Sequence, residues 1–259
     1  MKNSFKSLLI IASIILTSCS NSDDNSTSSN SPANTIKKLS ETTYFEGQTN
    51  SFTANFTYEN GNLKSISNQT QKIDISYSDG RISETKIYNN NILQTSYAFE
   101  YQNNNLYTIT NSVNNFERTL FTYTNSTQKT EENQSLNNSV WQTQVKDEFI
   151  FVNDNIQQRT NTFTNIPNST YKVGYEYDTK LNPMNYMAKE VREIIGLESC
   201  NFKNKNNTTF SYNYNDINST TPILNHTYQI SYNSQNLPTQ IKKYSSNNTL
   251  IAVSTFEYN

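Results

Sequence analysis

From about residue 40 onward, apolar and polar positions alternate along the chain, and turn-forming residues interrupt the pattern roughly every ten residues. Alternate residues of a strand lie on the same face, so one stretch places five on one side: Leu93, Thr95, Tyr97, Phe99 and Tyr101. The pattern predicts an antiparallel all-β domain, an up-and-down meander that forms a curled or barrel-like sheet. Because two strands recur per unit, a propeller or solenoid-like stack stays open as an alternative.

One short hairpin pattern recurs along this domain. An aromatic residue precedes a two-residue turn such as Asn60-Gly61 or Asp79-Gly80, and an aliphatic residue follows it five positions later. Type I′ turns need positive φ at both central residues, which Asn, Asp and Gly tolerate. The spacing predicts directly opposed pairs: Tyr58–Leu63, Tyr77–Ile82, Tyr101–Leu106, Phe151–Ile156 and Tyr232–Leu237. We expect most of these aromatic rings to be core residues.

A single stretch, at about 184–195, departs from the strand pattern. After Asn182-Pro183, apolar residues recur at helical spacing, with charged residues on the opposite face and Gly196 in the position of a helix terminator. The apolar positions are Met184, Met187, Val191, Ile194 and Ile195. The pattern predicts one short amphipathic helix that covers an open end or face of the sheet. A lid over a ligand is the alternative interpretation.

The N-terminus has the order of a signal peptide. Lys2 and Lys6 precede a short apolar run, and Leu16-Thr17-Ser18-Cys19 follows. This motif resembles the lipobox of bacterial lipoproteins, which implies cleavage after residue 18 and lipidation of Cys19; several acyl chains together give a stable membrane anchor. An ordinary secretory signal is the alternative. The polar, Ser- and Asn-rich segment 19–35 then predicts a flexible tether, and 36–259 a single all-β repeat domain.

Composition narrows the possible partners. The formal net charge is −2 and no basic stripe occurs, so nucleic acid is not an expected partner. The second cysteine, Cys200, has no partner within the domain if Cys19 is lipidated, and we expect it to be a small buried residue. Only 5 glycines are present, so asparagine takes over much of the turn formation.

The segment Tyr77-Ser-Asp-Gly80-Arg81-Ile82 resembles the YD (Rhs) repeat signature. Over most of residues 40–259 the chain resembles Bacteroidota lipoproteins of unknown function with YD-like hairpin repeats, in which an Asn-Pro segment after a Tyr-Asp pair opens a short insertion, as Tyr177-Asp178 and Asn182-Pro183 do here. The resemblance implies a barrel-like or curled sheet and no activity. Ser20 follows Cys19 at the position where an aspartate is associated with inner-membrane retention, and Asp23-Asp24 resembles the acidic export tag of surface lipoproteins in the Bacteroidota. This resemblance implies an outer-membrane location, at the cell surface or on the periplasmic side.

The chain offers few groups for catalysis. His226 is its single histidine, and no nucleophile, phosphate-loop or dinucleotide motif occurs among its residues. The acidic doublets Glu131-Glu132 and Asp147-Glu148 lie in predicted strands, where neighbours point to opposite faces. We therefore predict no catalytic residues, metal or cofactor.

Two classes of function remain after this search. The first is a non-catalytic, lipid-anchored binding or accessory module for a glycan or an envelope partner, with exposed tyrosines as the site and the segment around Met184 as a rim. The second is a structural or interaction protein without a small-molecule ligand. A glycan-active enzyme is the least favoured alternative.

Overall fold

The computed structural model describes residues 33–113, 115–166, 169–194 and 203–259. The strands are β1 (Ile36–Phe45), β2 (Gln48–Glu59), β3 (Asn62–Ser67), β4 (Gln71–Ser78), β5 (Arg81–Asn89), β6 (Ile92–Gln102), β7 (Asn105–Asn111), β8 (Glu117–Asn125), β9 (Gln128–Asn137), β10 (Val140–Val152), β11 (Asn155–Phe163), β12 (Thr170–Leu181), β13 (Asn206–Asn213), β14 (Ile223–Tyr232), β15 (Pro238–Ser245) and β16 (Leu250–Tyr258). Two short helical turns lie in the described part of the connection between β12 and β13, the 3-10 turn Pro183–Tyr186 and α1 (Val191–Ile194).

The sheet is a closed barrel. Each strand pairs antiparallel with its neighbours in sequence, and β1 pairs with β16 to complete the ring. The predicted all-β, up-and-down meander is confirmed. Because the sheet closes, it is a barrel and not an open curled sheet, a propeller or a solenoid-like stack. Closure also removes the two free strand edges that an open meander would expose.

The hairpin turns adopt the predicted left-handed geometry. Asn60 and Gly61 have φ of 50° and 81°, and Asn103 and Asn104 have φ of 50° and 66°. Asparagine therefore performs the turn role that glycine has in most proteins, because its short polar side chain tolerates this region.

Four of the five predicted cross-strand pairs are confirmed: Tyr58–Leu63, Tyr77–Ile82, Tyr101–Leu106 and Phe151–Ile156. The fifth prediction is wrong, because Tyr232 pairs with Pro238 instead of Leu237. The connection there is a longer loop, in which the Asn233 N–H donates to the Leu237 carbonyl at 3.0 Å. The Asn233 side chain also accepts from the Leu237 N–H, at 2.9 Å, so Leu237 belongs to the turn.

Each confirmed pair adjoins a β-bulge. Beside Tyr58–Leu63, for example, Thr57 pairs with Ser65, so Lys64 is the extra residue. A bulge bends its strand and increases the local twist. Repeated around the ring, the bulges supply curvature that a closed sheet requires.

The aromatic position of the hairpin pattern is usually tyrosine because its hydroxyl reaches the preceding hairpin. Tyr77 donates to the Leu63 carbonyl and Tyr101 to the Ile82 carbonyl, each at 2.9 Å. The same bond recurs in Tyr58→Ile36, Tyr177→Ile156 and Tyr258→Pro238. We call these five bonds the tyrosine ladder. They join consecutive hairpins at one end of the barrel.

The apolar core lies in the barrel interior, mostly on the side formed by β1 to β8. Its strand residues include Leu39, Phe56, Ile75, Ile82, Phe99, Ile109, Phe121 and Phe256. The segment after β12 completes this core with Met184, Met187 and Val191, which are 0%, 7% and 0% exposed. The expectation that it covers an open end of the sheet agrees with this packing.

The prediction of one continuous helix over 184–195 is wrong. The segment forms the 3-10 turn and the four-residue α1, with Met187 in extended conformation after the first. The Asn182 side chain accepts from the Met184 N–H and starts the 3-10 turn, and backbone bonds join Val191 to Ala188 and Arg192 to Lys189. Ile195 and Gly196 lie outside the described residues, as do Cys19 and Cys200.

The barrel has two distinct ends, because an up-and-down meander alternates its connections between them. One end, the near rim, carries the tyrosine ladder, the segment after β12, the start of β1 and the end of β16. There the Asn259 N–H donates to the Thr35 carbonyl at 3.0 Å. The other end, the far rim, carries the connections β1/β2, β3/β4, β5/β6, β7/β8, β9/β10, β11/β12, β13/β14 and β15/β16.

Candidate binding surface

The tyrosines of the hairpin pattern do not form the exposed cluster that was predicted as a site. Tyr58 is only 3% exposed, and burial raises its pKa well above the usual value for a tyrosine. Burial also raises the pKa of Tyr77, to about 12, and nearby Glu190 adds to this effect. These side chains are part of the wall and core, which confirms the expectation that most of the rings are core residues.

The segment after β12 is tied to the wall by a buried ion cluster. Lys129 lies 2.8 Å from Glu131 and 2.6 Å from Glu193, and Lys203 lies 2.7 Å from each of the two carboxylates. Glu193 and Lys203 belong to the segment, whereas Lys129 and Glu131 belong to β9. The predicted charged face of the helix is therefore partly turned inward, which explains why the segment does not behave as a simple amphipathic helix.

Charge pairing outweighs burial in this ion cluster. Burial alone disfavours the charged forms, but the carboxylates of Glu131 and Glu193 raise the pKa of Lys129 above its usual value. Burial likewise acts to raise the pKa of Glu131, yet Lys129 and Lys203 lower it well below its usual range. Pairing therefore keeps Lys129 and Glu131 charged at neutral pH, so the cluster ties the segment to the wall.

The other groups considered for chemistry are also in structural pairs. The His226 Nδ1 lies 3.1 Å from the hydroxyl of Ser211 on the adjacent strand. Arg159 donates to both oxygens of Asp147, at 2.7 and 3.0 Å, and Asn161 donates to Asp147 at 2.7 Å. Within the acidic doublets, Asp147 is buried while Glu148 pairs with solvent-exposed Lys146. This confirms that strand neighbours point to opposite faces.

One small cavity lies in the apolar part of the barrel interior. A cavity between β2 and β5, bounded by Ala54, Ile66 and Ile87, has a volume of about 20 Å³. That volume holds about one water molecule. Among the described residues, no three side chains of the metal-binding types gather into a site, and no described helix has the length and apolar character needed to cross a membrane.

The far rim is the most apolar exposed part of the described surface. The eight most exposed large hydrophobic residues all lie in its turns or beside them: Phe45, Ile92, Val113, Phe116, Val140, Ile166, Ile217 and Ile223. Phe45 and Ile92 are 68% and 67% exposed, whereas Val152, at 45%, is the most exposed large hydrophobic residue among the described residues of the near-rim turns. Six of the eight far-rim connections contribute to this set, so it runs around most of the ring.

The far rim is also poor in charge. The connections that carry its apolar residues hold Glu46 and Asp216, with Glu117 at the start of β8, and no lysine or arginine. Depletion of charge and exposed aromatic residues, here Phe45 and Phe116, are features that the buried centres of protein interfaces share. Isolated exposed apolar residues are ordinary, but their concentration on one rim is not.

Sequence reasoning did not find this surface, although the sequence contains a signal for it. At three far-rim turns an apolar residue directly flanks the two turn residues, as Phe45, Ile92 and Val140 do. At the near rim, the residues that follow the turns are polar, for example Asn62 and Arg81. Comparing alternate turns separates the two rims once the chain is recognised as a meander.

The fold thus defines a closed, sixteen-strand antiparallel barrel with an apolar core inside it. No family model matches the sequence, and no curated protein matches it. A porin-like protein from Bacteroides vulgatus is similar to this chain, with 13% identity and a TM-score of 0.47 over 86% of this chain and 98% of that one. A porin-like protein from Bacteroides uniformis has 10% identity and a TM-score of 0.38 over 89% and 100% of the two chains.

Proposed function

We propose that this protein is a lipid-anchored, non-catalytic envelope protein that binds another envelope protein through its far rim. The observation that carries the proposal is the concentration of the most exposed apolar residues on that rim, from Phe45 to Ile223. Apolar side chains that are solvated in the free protein and desolvated in a complex supply the main driving force of association.

The position of the tether supports binding of a partner through the far rim. The described chain enters the barrel at Thr35, on the near rim, so a lipid on Cys19 attaches the barrel by that end. The far rim then points away from the anchoring point. We place the protein at the outer membrane, and the tether allows either the cell surface or the periplasmic side.

The distribution of apolar side chains between the inner and outer faces of the wall also agrees with anchoring by a lipid instead of insertion of the barrel into the membrane. Large apolar side chains such as Phe56, Phe99 and Ile109 face the interior, whereas a lipid-facing barrel carries an apolar band on its outside. The recurring tyrosine hairpin supports the resemblance to YD-like lipoproteins, which we retain as part of the proposal.

The absence of turnover is part of the same proposal. His226, Asp147 and Glu131 are each engaged in the pairs described above. Nucleophilic and general acid–base catalysis need a reactive group beside a free base within reach of substrate. A structural protein without a small-molecule ligand remains the second candidate.

The test places a photo-crosslinking amino acid at Ile92 in the full-length protein in cells. We expect a discrete crosslinked envelope protein, which disappears when Phe45, Phe116 and Val140 are changed to serine. A crosslinker at Lys64, exposed on the near-rim side, is the matched control and is expected to give no such product.

If the Ile92 product persists in the triple serine variant, the far rim is not the binding surface. If the product consists of lipid instead of protein, the rim contacts a bilayer and the proposed partner class is wrong. Hydrolysis of a glycan by the purified protein, abolished by one carboxylate substitution, would show that it is an enzyme.

A further inference from the structure

Three aromatic rings form a stripe on the outer wall, separate from the far-rim set. Phe210, Tyr212 and Tyr214 occupy alternate positions along β13 and the residue after it. Phe210 and Tyr212 are stacked, with ring centroids 6.4 Å apart and ring planes 23° from parallel. Ser211 between them is 2% exposed and faces the interior, so the rings lie on the outside.

The neighbouring strand β12 holds these rings in place. The Tyr212 hydroxyl donates to Glu176 Oε1 at 2.8 Å. The ring of Tyr214 extends over Gly174, where a Cβ would lie 2.9 Å from the Tyr214 hydroxyl oxygen. The ammonium group of Lys172 lies 4.3 Å from the centroid of the same ring. A side chain at position 174 would therefore push the hydroxyl end of the Tyr214 ring away from the wall.

Polar groups accompany the rings on the same face. The register aligns Glu176, Phe210, Thr227 and Tyr244 across four adjacent strands. Tyr244 donates to the Gln229 side chain at 3.2 Å, in an exposed contact. The wall thus presents pre-positioned rings beside carboxylate, amide and hydroxyl groups.

This combination matches the chemistry of a sugar chain. One face of a pyranose ring carries C–H groups that pack on an aromatic face, and its edge carries hydroxyls that bond to carboxylates and amides. Because the rings are already fixed, little side-chain freedom is lost on binding. The row across the strands carries one carboxylate, and the Lys172 ammonium beside Tyr214 already donates to the carbonyls of Ile217 and Ser219, at 3.0 and 2.5 Å. This favours uncharged sugars over anionic ones. We propose that the Phe210–Tyr212–Tyr214 stripe binds a neutral oligosaccharide laid along β13.

The test uses the full-length protein in a detergent without sugar headgroups. Titration calorimetry measures binding of neutral hexasaccharides with β-1,4-glucose, β-1,3-glucose, β-1,4-mannose, β-1,4-xylose and α-1,4-glucose linkages. We expect at least one of them to bind. Tyr212→Ala is expected to weaken binding about tenfold, and Tyr212→Phe, which keeps the ring, to weaken it by a smaller factor.

Gly174→Ala provides a second variant, because the added Cβ displaces only the far end of the Tyr214 ring. We expect it to weaken binding several-fold while the circular dichroism spectrum stays unchanged. Tyr107→Ala, at an exposed tyrosine of β7, is the matched control and is expected to bind normally.

No binding of any of the five hexasaccharides overturns the proposal. So does binding that Tyr212→Ala and Gly174→Ala leave unchanged, or binding confined to an anionic glycan such as polygalacturonate. The far-rim serine variants are expected to bind sugar normally, so the two proposals stand or fall separately.

Discussion

At the scale of single residues, the tyrosine ladder explains why the aromatic position of the hairpin pattern is usually tyrosine and not another aromatic residue. A phenylalanine fills the same space, as Phe151 does in the β10/β11 hairpin, but it supplies no hydroxyl for the preceding carbonyl. Each tyrosine of the ladder therefore packs its ring as phenylalanine would and also bonds to the backbone of the preceding strand.

We expect Tyr101→Phe to lower the free energy of unfolding by about 0.5–1.5 kcal/mol, because the Ile82 carbonyl loses its donor in a part-buried site. Urea unfolding measures the change. Tyr107→Phe, at an exposed position of the next strand, is the control and is expected to change stability by less than about 0.5 kcal/mol. Equal effects of the two substitutions would show that the ladder bonds contribute nothing.

At the scale of elements, two-residue turns dictate where each strand ends and which residues face each other. The pair at β5/β6, Asn90 and Asn91, has φ of 49° and 62°. A β-branched residue in this region suffers a steric clash between its Cβ and the following carbonyl, whereas glycine does not.

Asn91→Val is therefore expected to destabilise the protein by about 1–2 kcal/mol. Asn91→Gly, the matched variant at the same position, is expected to be neutral or slightly stabilising, since glycine adopts this conformation without strain. Thermal unfolding followed by circular dichroism distinguishes the two. A valine variant as stable as the glycine variant would contradict the left-handed geometry of this turn.

The ion cluster between β9 and the segment after β12 gives a second prediction for elements. Glu131→Gln leaves Lys129 and Lys203 with a single shared carboxylate, so we expect a loss of about 3–5 kcal/mol. Glu148→Gln, in the exposed pair with Lys146, is the control and should cost about 0–1 kcal/mol. If the two substitutions cost the same, the buried cluster does not hold the segment.

The same cluster predicts a dependence on acid. Although burial opposes it, the two lysines lower the pKa of Glu131 in the folded protein. Its contribution is therefore present above the pKa that it has in the unfolded chain and is lost as the pH falls toward its lower folded pKa. Urea unfolding between pH 7 and pH 3 is expected to show a smaller loss of stability in Glu131→Gln than in the natural protein.

The turns and the segment around α1 differ in how well their structure could be predicted from the sequence. Two-residue turns are local, so Asn60-Gly61 alone was enough to predict that Tyr58 faces Leu63. Asn233 forms its turn through a side-chain bond to Leu237, and that spacing was not evident from composition. The segment around α1 was misread because its charged residues find partners on β9, sixty-four positions away in the case of Lys129 and Glu193.

At the scale of the whole molecule, the all-β meander was predictable from alternation, but closure was not. Pairing of β1 with β16 joins residues such as Leu39 and Phe256, and no local pattern encodes that contact. The far-rim surface was missed for a related reason. Its residues, for example Phe45 and Ile217, come together only when alternate connections are assigned to one end of a closed ring.

The anchor gives a prediction at this scale. Cells that express the protein are given a palmitate analogue. We expect Cys19→Ala to abolish labelling of this protein and to move it from the membrane fraction to the soluble fraction. Cys200→Ala is the matched control and is expected to retain both properties. A Cys19→Ala protein that is still labelled and still in membranes would show that the lipoprotein interpretation is wrong.

The β1/β16 pairing has a consequence for the order of folding. During synthesis β1 is made long before its partner β16, since the paired residues Leu39 and Phe256 are more than two hundred positions apart. Contacts so distant in sequence form slowly, because the intervening chain must be ordered before they are reached. Until then β1 presents an unpaired edge of 10 residues to any extended chain nearby. Newly made protein is therefore most exposed to aggregation in the interval before β16 arrives, and a chaperone that shields β1 would act at that step.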